Sequence, residues 1–207
     1  FLSFKVEQEA FWAGEFGDAY IKRNQGKNLL ASNLNFFSKS LSSTNNLNSC
    51  IEFGANIGMN LKALRQLYPD IELNAIEINK EAAEELTSLV NKKNIFQGSI
   101  FNYDPVRKFD LVIIKGVLIH INPDQLMNVY NKIVASSKRY ILVAEYYNPS
   151  PVAIPYRGHT DKLFKRDFAG EMMDNFSELS LKDYGFAYHR DPTFPQDDIS
   201  WFLLEKN

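Results

Sequence analysis

Cys50-Ile51-Glu52-Phe53-Gly54-Ala55-Asn56-Ile57-Gly58 joins a short apolar run to a glycine-bearing turn, and helical spacing follows from Ile57 to Leu67, ending before Pro69. Cys50 to Phe53 therefore reads as a buried strand that turns directly into a helix. Glycines in such a turn let the backbone approach a ligand closely, and a helix start offers N–H groups with no partner inside the helix. Nineteen residues beyond Gly58, Glu77 closes a second strand-like run, Ile71 to Glu77. An acid in that place accepts hydrogen bonds from both hydroxyls of a ribose. Separately, the two features describe a tight connector and a surface carboxylate. Together they point to a cofactor that contains a nucleoside.

The rest of the chain extends this pattern. Helix-like spacing covers Val6 to Arg23 and Asn28 to Leu41, before a polar run at Ser42 to Asn46. Beyond that run, strands and helices alternate. Lys80 to Val90 reads as a helix, Asn94 to Gln97 and Phe109 to Ile114 as strands, Pro123 to Ala135 as a helix, and Arg139 to Ala144 as a fifth strand. Repeated strand–helix units with near-continuous apolar strands predict a parallel sheet covered by helices on both faces. Two strand-like segments close the chain, Glu178 to His189 and Asp198 to Glu205, with Asp191-Pro192-Thr193-Phe194-Pro195 between them. That hairpin predicts an antiparallel strand at or near one sheet edge. Between strand five and the hairpin lies a proline- and tyrosine-rich segment whose length suits a functional or mobile loop. Lys162, Lys165 and Arg166 within it read as a solvated helix start. One α/β domain over 1–207 is expected, with a helical cap at 1–46 and a core at 47–207 that carries a substrate loop at 146–166.

Composition narrows the class. The 207 residues are 45% hydrophobic and 23% charged, with 23 Lys and Arg against 25 Asp and Glu for a net charge of −2. No broad positive field for a nucleic-acid partner is expected from that balance. The single cysteine, Cys50, excludes an internal disulfide framework and a multi-cysteine zinc cage, and its place in strand one makes it a core residue. His159, Asp161 and Glu145 lack a local two-ligand spacing, so no metal is expected. Apolar runs fall far short of the ~20 residues that span a bilayer, and the first residues show no signal-peptide pattern. The expected location is cytoplasmic, with no membrane partner, although the chain does not begin with Met.

Neither a Gly-x-Gly-x-x-Gly dinucleotide turn nor a Gly-Lys-Ser/Thr phosphate loop is present. The block at Glu52 to Gly58 instead resembles the first motif of class I S-adenosylmethionine-dependent methyltransferases, an acid followed by a Gly-x-Gly-x-Gly-like turn. Asn56 stands where the middle glycine often is. The resemblance runs from Leu47 to the end and implies a Rossmann-like sheet of seven strands with the last antiparallel, and S-adenosylmethionine as cofactor. By the same resemblance Glu52, Gly54, Asn56 and Gly58 form the cofactor turn, and Glu77, with Ile78 beside it, is the ribose-binding acid. Gln97-Gly98-Ser99-Ile100 matches the motif at the adenine edge, with Ser99 in place of the usual Asp. Phe109 to His120 matches the fourth-strand motif beside the transferred methyl. An N-terminal helix often closes over the cofactor in this superfamily, which makes Phe16, Tyr20 and Arg23 cofactor candidates, Arg23 for the methionine carboxylate. Two further stretches, Glu15 to Asn24 and Tyr156 to Gly170, are similar to methylases associated with biosynthesis of pseudaminic acid and related sugars. They imply a sugar-derived acceptor.

His120 suits a general base near neutral pH, and equally a structural cap of its loop. Lys115, at the end of strand four, suits a carboxylate of the cofactor or simply reaches for water. Tyr146 and Tyr147 leave strand five at the ligand-bearing edge and suit stacking on a sugar, as does Tyr156, with rim packing as the plain alternative. Arg157 fits an anionic group, and His159 or Asp161 is a second candidate base. The expected activity is methyl transfer to an oxygen or nitrogen of a small polar acceptor: a sugar, a sugar acid or a nucleotide-linked sugar. The expected assembly is a monomer or dimer. Transfer to another small metabolite is the nearest rival. A cofactor-binding partner protein without catalysis is the other, kept open by Asn56 and Ser99.

Overall fold

A computed structural model describes residues 7–14, 17, 27–155 and 163–207. The parallel part of its central sheet is built from β1 (Ser49–Phe53), β2 (Glu72–Glu77), β3 (Ile95–Gln97), β4 (Phe109–Lys115) and β5 (Ser137–Glu145). A terminal hairpin adds β8 (Leu179–Ala187) and β9 (Ile199–Lys206), and the order across the sheet is β3-β2-β1-β4-β5-β9-β8. β9 is antiparallel to both β5 and β8. The chain thus forms the expected seven-stranded sheet with its last strand reversed. Between β5 and β8 a small separate hairpin pairs β6 (Val152–Ala153) with β7 (Phe164–Lys165).

Apolar side chains on both sheet faces create two cores. One face meets α2 (Lys27–Ser40), α3 (Met59–Leu67) and α4 (Lys80–Leu86), through residues such as Phe37, Leu61, Leu64 and Leu86. The other meets α5 (Leu126–Ser136) and α6 (Phe168–Asn175), through Val129, Ile133, Phe168 and Met172. Leu111 to Ile114 in β4 are fully buried, which is why that strand reads as a continuous apolar run with no alternation. Cys50 lies in the first of these layers, the one under α2, α3 and α4, as a buried free thiol.

Several expected boundaries move. α4 stops at Leu86, not Val90, because Thr87 and Ser88 turn their hydroxyls onto the Glu84 and Glu85 carbonyls and compete with the helix ladder. Pro123 opens a single 3₁₀ turn, capped by the Asn122 side chain, before α5 begins at Leu126. The helix expected to start at Lys162–Arg166 starts at Phe168, where Asp167 caps it by accepting from the Gly170 N–H. Lys165 belongs to β7. Of the helix expected over Val6 to Arg23, α1 (Glu7–Ala13), a bend at Gly14 and a helical, buried Gly17 are described, and the remainder lies outside the described residues.

Candidate functional site

Strand order reverses at β1: the chain moves outward through β2 and β3, then returns to place β4 on the other side. Parallel sheets hold ligands in the crevice that such a reversal opens beyond the carboxyl ends of the strands. A cleft lies there, walled by the turns that follow β1, β2, β3 and β4 and roofed by α1 and α2.

The turn after β1 is shaped by three left-handed residues, Gly54 (φ 79°), Asn56 (φ 50°) and Gly58 (φ 81°). Asn is the side chain that tolerates this region best after Gly, so Asn56 keeps the turn that a middle glycine would make. A Cβ at Gly54 would lie 2.6 Å from the Val117 side chain, so the β1 and β4 turns can touch only without one. Gly58 caps α3 and packs under Leu86.

Glu77 ends β2 with its carboxylate clamped: Oε2 accepts from the Asn56 N–H at 2.6 Å and Oε1 from the Asn79 N–H at 2.7 Å. Burial pushes its carboxyl upward against those bonds, and it borders the cleft. Each oxygen retains a lone pair, so the carboxylate can accept two further hydroxyls. Ser99 Oγ accepts from the Phe101 N–H and caps the turn Ile100–Asn102, which brings Ser99 and Ile100 to the cleft.

On the β4 side, Lys115 reaches the cleft with its Nζ 5.4 Å from the centre of the Phe36 ring. Burial lowers its pKa, while Glu52, Asp197 and Glu145 act to raise it. Glu52 is almost fully buried behind the cleft, and burial pushes it up to about 8 despite the bond from Asn60 and the charge of Lys115. Glu145 is likewise pushed up to about 7 by burial, and Oε1 accepts from the N–H groups of Val117 and Leu118. In both residues the second oxygen is buried with no hydrogen-bond partner among the described residues, which favours the protonated form. The turn Leu118–His120 that Glu145 holds brings His120 into the cleft, its ring 4.8 Å from that of Trp12.

Of the residues expected from sequence, the cleft thus gathers Gly54, Asn56, Glu77, Ile78, Ser99, Ile100, Lys115 and His120. Glu52 stands behind it as the acceptor for Asn60, and Gly58 stands behind it as a helix cap. Tyr146 and Tyr147 are not brought to it: Tyr146 packs into the cores beneath Lys165, and Tyr147 leans on Phe202 at 5.8 Å. Both follow the end of β5, and Tyr147 borders a small hollow with Phe168 and Ala169 of α6. Phe16, Tyr20, Arg23, Tyr156, Arg157, His159 and Asp161 lie outside the described residues. Sequence reading missed Trp12, Asn33 and Asn60, all of which border the cleft. Asn33 carried a faint signal, a polar residue on the apolar face of α2. Among the described residues, no helix is long and apolar enough to cross a membrane and no group of three His, Cys, Asp or Glu is placed to hold a metal.

This arrangement, a seven-stranded sheet with its last strand reversed and a cleft over the β1/β4 reversal, is the Rossmann-like fold of class I methyltransferases. Solved structures of such enzymes share it. Magnesium protoporphyrin IX methyltransferase (ChlM) from Synechocystis PCC 6803 with bound S-adenosylhomocysteine (SAH) aligns with a TM-score of 0.70, at 11% identity, over 97% of this chain and 100% of its own. The plantazolicin methyltransferase BpumL in complex with SAH gives 0.66 at 13% identity, over 97% of this chain and 94% of its own. The mitomycin 7-O-methyltransferase MmcR gives 0.67 at 14% identity, over 98% of this chain, which spans 61% of that protein's length. No protein-family model matches the sequence, and no curated protein does.

Proposed function

We propose that this chain is an S-adenosylmethionine-dependent methyltransferase that acts on an oxygen or nitrogen of a small polar acceptor, a sugar, sugar acid or nucleotide-linked sugar. The observation that carries the cofactor is Glu77, a buried carboxylate held by two backbone N–H groups at the rim of the cleft. The Gly54 turn beside it leaves room that a Cβ would fill. In this reading Glu77 accepts the ribose hydroxyls, Ser99 and Ile100 border the adenine, and Gly54 to Asn56 pass under the methionine chain. Residues 1–46 act as a cap over a cofactor-binding core at 47–207, with Phe16, Tyr20 and Arg23 on that cap. Among solved structures with this fold, ChlM and BpumL hold SAH.

When bound, the sulfonium supplies a methyl group already activated for in-line displacement, so the protein has mainly to align, desolvate and deprotonate. Val117 and Trp12 exclude water from the cleft. His120 takes the proton from an acceptor hydroxyl as the oxygen attacks, or from an acceptor ammonium first, so that the neutral amine's lone pair can attack. Arg157, with Tyr156 near it in sequence, receives an anionic group of the acceptor, and His159 or Asp161 is the alternative base.

The test is SAH release during incubation of the protein with S-adenosylmethionine and a panel of sugars, sugar acids and nucleotide-linked sugars. Acceptor-dependent release that falls by ~10²-fold or more in His120→Ala supports the reading. Binding of the cofactor without turnover on any acceptor leaves a cofactor-binding protein and removes the enzyme. Arg157→Ala raising the acceptor KM without changing cofactor affinity places Arg157 at the acceptor.

A further inference from the structure

The loop between β8 and β9, residues 188–198, has more internal order than a connector requires. Asp191 Oδ1 accepts from the N–H groups of both Thr193 and Phe194 at 2.8 Å. His189 Nδ1 lies 2.8 Å from Asp198 Oδ1, and the His189 N–H donates to the same oxygen. Pro192 and Pro195 fix two more backbone angles. β8 and β5 run the same way, both being antiparallel to β9, so this loop leaves the sheet at the edge that carries the cleft.

At that edge Gln196, itself buried, donates Nε2 to Asn33 Oδ1 at 2.8 Å. Asn33 is only 1% exposed and sits in the middle of α2, where an amide is costly to bury unless both ends are used. The Gln196 bond occupies its oxygen. The amide N–H groups are then the end left for the cleft, which Asn33 borders. One helical turn further on is Phe36, whose ring lies under the Lys115 Nζ, and Asp197, next to Gln196, acts on the charge of that lysine. α2, latched by the late loop, and the end of β4 therefore bring two hydrogen-bond donors, Asn33 and Lys115, to one wall of the cleft.

Given the methyltransferase reading, we propose that this wall is the acceptor site: Gln196 orients Asn33, and the Asn33 amide and Lys115 ammonium bind the hydroxyl or carboxylate oxygens of the acceptor. Asn33 and Lys115 touch the ligand; Gln196 is a positioning residue. The same chemistry would also suit the carboxylate of the cofactor, so the test separates the two sources. Asn33→Asp keeps an oxygen for Gln196 to donate to and replaces the cleft-facing NH2 group with a carboxyl oxygen. Gln196→Ala breaks the latch alone.

Glucuronate, a simple hydroxylated carboxylate, is titrated by NMR into the SAH-saturated full chain. The expected result is saturable binding to wild type with shifts at the side-chain amides of Asn33 and Gln196. Asn33→Asp then weakens glucuronate by about tenfold or more, the size of one lost charge-assisted bond, with unchanged SAH affinity and a melting temperature that stays above the temperature of the titration. Gln196→Ala weakens glucuronate less. A purely structural role for Asn33 predicts that Asn33→Asp, which keeps the latch, binds glucuronate like wild type, and that outcome overturns the proposal. So does the absence of glucuronate binding to the SAH complex. A loss of SAH affinity in Asn33→Asp reassigns the wall to the cofactor and overturns it too. Failure of wild type to bind SAH at all instead brings down the methyltransferase reading and the acceptor wall with it.

Discussion

Replacing Glu145 by alanine removes one carboxylate oxygen that two backbone donors share. Its Oε1 accepts from the Val117 N–H at 3.0 Å and the Leu118 N–H at 2.9 Å, and Glu145 and Leu118 are both buried. Each donor orphaned inside the protein costs about 1–3 kcal/mol, so Glu145→Ala is expected to lose ~2–6 kcal/mol. For a chain of this size, at about 2–4 °C per kcal/mol, that corresponds to a fall of roughly 4–24 °C in melting temperature. The same change frees the turn that aims His120 into the cleft, so turnover should fall while SAH affinity, which the proposed function assigns mainly to Glu77, changes little. Glu145→Gln keeps Oε1 for both donors and removes a carboxyl that burial pushes up to about 7, so its stability should stay within ~1 kcal/mol of wild type. Urea unfolding of the three proteins, with hydrogen exchange at the amides of Val117 and Leu118, measures the effect directly. Wild-type stability in Glu145→Ala, or equal damage from glutamine and alanine, would refute the reasoning.

Glu52 and Glu145 also set a pH dependence. Burial raises both above the usual 4.5, to about 8 and about 7, so between those limits the native chain holds more protons than the unfolded one. Stability should therefore fall as pH rises through that window, by up to ~1.4 kcal/mol per pH unit for each carboxyl, and Glu52→Gln should flatten the fall between pH 7 and 8. Stability that climbs from pH 5 to 7 in urea titrations would contradict this. Gly54→Ala combines a left-handed backbone with a Cβ 2.6 Å from Val117, and should cost ~1–3 kcal/mol and weaken SAH in calorimetry. Asn56→Gly should leave SAH affinity within about twofold, since glycine adopts the same φ and keeps the N–H that Glu77 accepts, whereas Asn56→Val should lose ~1–2 kcal/mol of stability.

The fold and the turns that wall the cleft were legible because their signals are local. The β1 turn needs left-handed residues at fixed places, β4 must be apolar on both faces, and Glu77 must end its strand beside the turn. Each requirement leaves its mark within a few residues of chain. The β4 side of the cleft was not legible, because its contacts join separate segments: Gln196 with Asn33, Glu145 with Val117, Trp12 with His120. No spacing rule connects residues separated by 28 positions, as Val117 and Glu145 are, still less by more than a hundred, as the other two pairs are. Tyr146 and Tyr147 show the converse difficulty, since the end of a strand fixes where the chain emerges but not which way its next side chains turn. The start of α6 was misplaced for a simpler reason: the charges of Lys165 and Arg166 outweighed Asp167, the residue whose side chain makes the cap.

The most direct test is calorimetric titration of SAH into the wild-type chain and into Glu77→Ala. One saturable site is expected, weakened in the variant by ~1–3 kcal/mol, tenfold or more in affinity, as the ribose hydroxyls lose their acceptor. No binding of SAH to wild type, tight binding of NAD in its place, or equal affinity in Glu77→Ala would contradict the account.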